Sequence, residues 1–188
     1  MQRARRGGHD PEKVYAAYKA AVDVTILGQE IVVDHASYPT PEIERNSHEY
    51  RPLGLGYANL GALLMARGLP YDSDAGRDFS AAITALMSGA SYAQSTRIAE
   101  ALGSFSGFEV NREPMMRVMR KHRSALRAVD PAHVPVELLQ AGKRTWDEVV
   151  QKGEIYGIRN SQISVVALTV KNAFMMDCET TGIEPNIA

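Results

Sequence analysis

The sequence has 188 residues, of which 45% are hydrophobic, and its 21 basic and 22 acidic side chains leave a net charge of -1. This length and composition predict one ordinary globular domain with its own core, and the charge balance argues against a nucleic-acid partner. No apolar run approaches the length of about eighteen residues that spans a membrane. The single cysteine, Cys178, excludes an internal disulfide and a paired-cysteine zinc site, and it favours a cytoplasmic setting.

The first nine residues contain Arg3, Arg5 and Arg6 but lack the apolar core of a secretory signal. They are also few for an amphipathic transit peptide. We therefore predict a disordered basic start over residues 1–9 and one domain over residues 10–188.

Capping residues and hydrophobic spacing predict a succession of helices. Asp10, followed by Pro11, opens the first helix, which should run to about Asp34. Further helices are predicted to begin near Pro41 behind a Thr40 cap, near Ala58, after Asp72-Ser73-Asp74 with an end near Leu102, at Asn111-Arg112-Glu113-Pro114, and at Pro135 with an end between Gly153 and Gly157. Residues 45–51 should connect two elements, and the basic side chains of the Asn111 helix should form a solvated face.

Gly54 and Gly56 lie in a stretch that begins as extended chain. A dinucleotide fingerprint would need a third glycine where Asn59 stands, and no Gly-Lys-Ser or Gly-Lys-Thr follows to make a P-loop. We interpret the two glycines as permitting close packing of a strand against a helix, the alternative being a direct nucleotide contact.

A β-branched run at Ile163, Val165 and Val166 predicts a buried strand. The polar residues 177–185 are too well punctuated by glycine and proline to extend it. In α/β sheets, ligands lie just past the carboxyl ends of strands. A functional site is therefore expected here, where Thr169 could hydrogen-bond an anion.

No catalytic constellation is evident in the residues themselves. There is no Gly-x-Ser-x-Gly turn for a hydrolase nucleophile, and Asp177, Glu179 and Glu184 do not match the spacing of a metal loop. Cys178 follows apolar residues, which predicts a small buried thiol, with a nucleophilic cysteine as the alternative. No metal site is predicted.

Six stretches nevertheless identify a family by their order and spacing. They are Tyr38-Pro39-Thr40, residues 51–61 (Arg-Pro-Leu-Gly-Leu-Gly-Tyr-Ala-Asn-Leu-Gly), residues 68–72 (Gly-Leu-Pro-Tyr-Asp), Asn111-Arg112-Glu113, Arg159-Asn160 and residues 175–185 (Met-Met-Asp-Cys-Glu-Thr-Thr-Gly-Ile-Glu-Pro). Together they resemble the catalytic barrel of ribonucleotide reductase, and most closely its vitamin-B12-dependent, class II branch. The resemblance runs from about Asp10 to Ala188.

The resemblance implies a helix-rich segment of a ten-stranded α/β barrel, incomplete on its own. Such enzymes remove the 2′-hydroxyl of a ribonucleotide by radical chemistry, with adenosylcobalamin as the class II cofactor. The family's radical cysteine lies in an Asn-x-Cys-x-Glu loop, but here Met176 and Thr180 flank Cys178 at those positions. The family's pair of reducing cysteines is also missing from this sequence. We therefore assign no catalytic residue to this chain and expect neither turnover nor firm cobalamin binding by it alone.

The resemblance also implies a site for the substrate phosphates. The family carries Ala-Pro-Thr-Gly-Thr-Ile between the strand and its following helix, whereas residues 167–172 read Ala-Leu-Thr-Val-Lys-Asn. Ala167 and Thr169 match and are the predicted phosphate-binding residues. Val170 replaces a glycine and resists the backbone angles that glycine reaches, although Lys171 could restore positive charge.

We therefore expect part of a ribonucleoside-diphosphate reductase, from a split, intein-interrupted or decayed gene, whose activity needs a complementary chain that bears the radical cysteine. Two alternatives are a non-catalytic module that binds nucleotide or phosphate, and a module that self-associates through exposed sheet edges. No nucleic-acid or membrane partner is expected.

Overall fold

The computed structural model describes residues 10–165 and 170–186, with the backbone alone at 170 and 171, and helices dominate it. The helices are α1 (Pro11–His35), α2 (Pro41–Tyr50), α3 (Leu60–Ala66), α4 (Asp74–Leu102), α5 (Phe108–Ala125), α6 (Val136–Tyr156) and α7 (Val170–Met175). A 3-10 turn, Leu126–Ala128, follows α5. None of the helices in these ranges is long and apolar enough to cross a membrane.

Side-chain caps begin three of the helices where the sequence predicts them. Asp10, Thr40 and Ser73 each accept a hydrogen bond from a backbone N–H two or three residues later, at 3.0–3.3 Å. These bonds satisfy donors that have no partner within the helix. Residues 45–50, predicted as a connection, instead continue α2 as a polar, largely exposed helix that ends at Arg51 with a positive φ of 49°.

The start of α5 differs from the prediction. The helix begins at Phe108 and contains Pro114 in its interior, whereas the sequence placed its start at Asn111. Phe108 is fully buried and meets Phe105 edge-on, with the ring centroids 5.6 Å apart, which anchors an additional turn. The Asn111 side chain donates backwards to the Gly107 carbonyl at 2.8 Å instead of capping a new helix.

The core lies where α4 packs against α6 and α1, and α5 also packs against α6. Trp146 is 2% exposed, and its indole N–H donates to the Ala85 carbonyl at 3.0 Å. Gly89 leaves α4 unbroken, and its missing side chain lets Thr145 of α6 approach closely.

Two extended segments, residues 52–55 (the first) and 161–165 (the second), run parallel beside this helical core. They meet at one bridge, between Leu55 and Ser164. The Leu55 amide donates to the Ile163 carbonyl at 2.8 Å, and the Val165 amide donates to the Leu55 carbonyl at 3.0 Å. Ile163 is fully buried, as predicted, whereas Val165 is 38% exposed and Val166 lies outside the described residues. The α/β prediction is therefore confirmed only in part. Residues 10–165 and 170–186 form a helix-rich unit with one bridge and no longer strand, because neither segment has a second neighbour to pair with.

A buried carboxylate joins the amino ends of both extended segments to α1. Glu30 is 3% exposed, and it accepts hydrogen bonds from Arg51 Nε at 2.6 Å, Arg159 Nε at 2.7 Å and Asn160 Nδ2 at 2.5 Å. Ser95 of α4 donates to the Asn160 side chain and accepts from its backbone N–H. Because Arg51 precedes one segment and Arg159 the other, Glu30 sets their positions relative to each other.

Asp34 binds the outer side of the same guanidinium. Arg51 donates to its two carboxylate oxygens at 2.7 and 2.8 Å. These hydrogen bonds favour the charged carboxylate and hold the pKa of Asp34 below its ordinary value of 3.8.

We predict that Glu30→Ala lowers the free energy of unfolding by about 3–5 kcal/mol, because it removes the buried carboxylate that Arg51 and the partly buried Arg159 share. Urea unfolding followed by circular dichroism measures this change. The exposed Glu42→Ala is the matched control and should change stability by less than about 1 kcal/mol. Equal losses in the two variants would contradict the role of Glu30.

We predict that Asp34→Asn destabilises the protein in a pH-dependent way. Since the folded-state pKa of Asp34 is lowered, its contribution is fully present above the ordinary value of 3.8 and is lost as the pH falls through the lowered pKa. The stability difference between wild type and Asp34→Asn should therefore be constant at higher pH and shrink in acid. Urea unfolding at a series of pH values tests this, and a constant difference down to the lowest pH would refute it.

Candidate functional site

The carboxyl ends of the two extended segments lead into a rim, which we define as residues 56–60 and 177–186. Gly56 lies so close to the second segment that a Cβ there would stand 2.6 Å from the Val165 carbonyl oxygen. A Cβ on Gly54 would stand 3.3 Å from the Val165 side chain. Both glycines therefore permit close packing, but against the second extended segment and not against a helix as predicted, and residue 56 has no room for a side chain.

Asn59 holds the two parts of the rim together. It has a positive φ of 70°, which asparagine tolerates better than most residues. Its side-chain oxygen accepts hydrogen bonds from the backbone N–H groups of Glu179 and Thr180 at 3.0 and 3.1 Å. The backbone N–H of Asn59 donates to the Thr180 carbonyl at 3.1 Å. Three hydrogen bonds thus fix the polar loop after α7 to the start of α3.

The first turn of α3 also contacts the backbone of this loop. The Leu60 amide donates to the Gly182 carbonyl at 3.3 Å, so the loop satisfies a donor at the helix start. At Gly61, a Cβ would lie 2.8 Å from the Glu184 carbonyl oxygen. The glycine at the end of the 51–61 stretch therefore allows the backbone of the loop to pack on the helix.

A cavity of about 380 Å³ opens beside the rim. Tyr18 of α1, Tyr57, Asn59, Asp177 and Glu179 are among its lining residues. The Tyr18 hydroxyl is buried and has no hydrogen-bond partner among the described residues. Burial raises the pKa of Tyr18 and that of Tyr57. Both phenols are therefore neutral hydrogen-bonding groups and not bases at neutral pH.

Cys178 differs from its prediction as a buried thiol, since it is only partly buried. The apolar residues that precede it do not cover it, because Phe174, Met175 and Met176 are themselves 69%, 86% and 60% exposed. Its sulfur lies 4.0 Å from the Met176 carbonyl oxygen, and its amide donates to Ala173.

The predicted phosphate-binding residues, Ala167 and Thr169, lie outside the described residues, as does the side chain of Lys171. The described chain resumes with α7 at Val170, where the sequence allowed for a helix start. The roles of Ala167 and Thr169 therefore remain predictions. The structure describes the chain on both sides of them.

Sequence reasoning missed the residues that organise the site, namely Glu30, the arginines it binds, and Asn59. A signal for Glu30 exists, because it continues the spacing of the buried Val22 and Ile26 on α1. A carboxylate at a buried position predicts a cationic partner. For Asn59 the signal is its position directly before a helix, although its side chain binds a remote loop instead of capping α3.

Comparison with known proteins identifies the class that this arrangement belongs to. The family model described as "Ribonucleotide reductase, barrel domain" matches residues 5–188. The chain therefore belongs to the ribonucleotide reductase barrel-domain family.

Among individual proteins, the chain is 49% identical over 182 residues to a vitamin B12-dependent ribonucleotide reductase of Rhodopirellula baltica, covering 97% of the chain and 17% of that relative. It is 43% identical over 188 residues to the protein of the same name from Agrobacterium fabrum, covering 92% of the chain and 15% of the relative. A vitamin B12-dependent ribonucleoside-diphosphate reductase of Mycobacterium tuberculosis is 35% identical over 81 residues, covering 43% of the chain and 12% of the relative. The chain thus spans less than a fifth of the length of these relatives.

We predict that Asn59→Gly frees the loop from α3 without straining the backbone, because glycine accepts the positive φ but brings no side-chain acceptor. The amides of Glu179 and Thr180 should then exchange with solvent about tenfold faster, as expected when a hydrogen bond worth about 1.4 kcal/mol is lost. Hydrogen exchange measured by NMR tests this. Asn59→Asp is the matched control, since it keeps an oxygen acceptor and should preserve protection. Unchanged exchange in Asn59→Gly would show that the side chain does not hold the loop.

Proposed function

We propose that this chain is part of an adenosylcobalamin-dependent ribonucleotide reductase. In this proposal the chain supplies part of the enzyme's ten-stranded α/β barrel and the rim at the ends of its strands. The observation that carries the proposal is the 49% identity to the Rhodopirellula baltica protein over nearly the whole chain. The parallel pairing at Leu55 and Ser164 supports it, because a parallel pair needs further strands to become a stable sheet. In this proposal, residues 10–188 act as one partial barrel domain.

In this proposal the chain positions the rim and supplies no reacting thiol to the enzyme. Its one cysteine, Cys178, has Met176 and Thr180 where the resemblance calls for the asparagine and glutamate that hold the ribose. The radical thiol and the reducing thiols therefore come from other residues of the enzyme. The residues described above orient the rim, with Glu30 aligning the extended segments and Asn59 fixing the loop.

The described residues of the rim do not by themselves fit adenosylcobalamin. The rim cavity measures about 380 Å³, near the lower end of the range of about 300–1,000 Å³ that holds drug-sized ligands, and a corrinoid with its nucleotide tail is larger than these. Other parts of the enzyme must hold the cofactor. We accordingly derive no step through it.

The substrate we propose is a ribonucleoside diphosphate, in keeping with the name of the Mycobacterium tuberculosis relative. Ala167 and Thr169 contact its phosphates in this proposal, through backbone N–H groups and the threonine hydroxyl. The proposal draws on their position between an extended segment and the start of α7, which is where sheet proteins bind ligands.

A chimera tests the function. The matching segment of the Rhodopirellula baltica protein is replaced by this chain, and reduction of ribonucleoside diphosphates is measured with added adenosylcobalamin. We expect turnover by the chimera but none by the isolated chain, because the radical cysteine is present only in the chimera.

The altered phosphate loop provides a second readout from the same chimera. The KM should exceed that of the parent enzyme by about tenfold or more, since charge-assisted hydrogen bonds are worth about 1.5–3 kcal/mol each. A variant with Leu168→Pro, Val170→Gly, Lys171→Thr and Asn172→Ile should restore it. Turnover by the isolated chain, or an inactive loop-restored chimera beside an active parent, would reject the proposed function.

A further inference from the structure

A cavity of about 380 Å³ lies between α5 and α6. Its charged lining residues are Arg120, Arg123, Arg127, Lys143 and Asp147, so among the described residues four cations face one carboxylate. In the groove between α1 and α6, the described lining instead holds three cations and four carboxylates. A cleft with an excess of one sign of charge concentrates ions of the opposite sign. None of the described residues that line the α5–α6 cavity belongs to the rim.

Ion pairs join the two helices at this cavity. Arg123 Nε lies 2.6 Å from Asp147 Oδ1. Arg120 donates to Glu154 Oε1 of α6 at 2.6 Å and to Glu113 Oε1 of its own helix at 2.7 Å. A guanidinium carries five N–H donors in a rigid fork, so both arginines keep donors available after these bonds are made. The ion pairs therefore hold two guanidinium groups at the cavity without using all of their hydrogen-bonding capacity.

The other two cations of the lining have no carboxylate partner. Arg127 and Lys143 make no hydrogen bond or ion pair with any other residue in the described ranges. The helix dipole accounts for a cation such as Arg127 just past the carboxyl end of α5. It does not account for Lys143, because this residue lies beyond the first turn of α6 and far from its last turn. Two positive charges thus line one cavity without a counter-charge.

We propose that this cavity binds the phosphate groups of a small molecule, with Arg127 and Lys143 supplying the positive charge and Ser124 a hydroxyl donor. Arginine binds phosphate oxygens through its fork of donors, and lysine binds them as a point charge. No aromatic side chain is among the described residues that line the cavity, so a nucleoside attached to the phosphates gains no stacking there. Inorganic pyrophosphate and the diphosphate of a nucleotide are therefore equivalent ligands for this site.

Titration of the isolated chain with inorganic pyrophosphate, followed by NMR, tests the site. The ionic strength should be about 0.01 M, where exposed charges are screened least. Amide signals of residues 120–127 and 143–147 should shift. Arg127→Ala and Lys143→Ala should each weaken binding by about tenfold or more, because each removes a charge-assisted hydrogen bond. The matched control is Arg117→Ala, an exposed arginine of α5 outside the cavity, which should leave the affinity unchanged.

A ribonucleoside diphosphate and the corresponding nucleoside distinguish the two sources of phosphate. The diphosphate should bind as tightly as pyrophosphate at the same residues, and the nucleoside alone should not bind there. Equal losses in Arg127→Ala and Arg117→Ala would overturn the site, because they would show attraction by general surface charge. Nucleotide binding that neither Arg127→Ala nor Lys143→Ala weakens would place the ligand elsewhere and overturn it as well. Unshifted amide signals at these residues would also reject the proposal.

Discussion

One buried carboxylate decides how the two halves of this chain meet. Glu30 is almost fully excluded from solvent, and its charge is offset by two guanidinium groups and an amide. Burying an ion without partners is strongly unfavourable, so the helix, the segment after Arg51 and the segment after Arg159 form a mutually dependent set. The parallel bridge between Leu55 and Ser164 and the rim beyond it follow from this arrangement, because both segments start at the same anchor.

The parts of the fold that sequence predicts are those with local causes. The starts of α1, α2 and α4 were predictable because a capping side chain and its backbone donor lie two or three residues apart. The rim was not predictable from the sequence, because Asn59 binds amides that are 120 and 121 residues away. No local pattern indicates that pairing. The start of α5 was misplaced for a similar reason, since the burial of Phe108 against Gly157, at the end of α6, outweighs the turn signals of the Asn111 stretch.

The functional assignment divides in the same way, because the sequence indicates the family but not the role of each residue. Motif order and spacing indicated the reductase family before any contact was known, and the family match over residues 5–188 agrees. What motifs could not provide is the physical role of their residues. At Gly56 and Gly61, for example, backbone from another part of the chain passes within contact distance, so a side chain there would clash. The polar loop at residues 177–186 likewise is held by Asn59.

The long sequence separation of the Glu30 contacts has a consequence for synthesis on the ribosome. Arg159 follows Glu30 by 129 residues, so α1 emerges from the exit tunnel long before its second cation exists. At about 5–20 residues per second, the nascent helix waits for several seconds or more with its carboxylate incompletely matched. Early docking of α1 onto α4 is therefore penalised until Arg159 has been translated, which delays formation of the native contacts of Glu30.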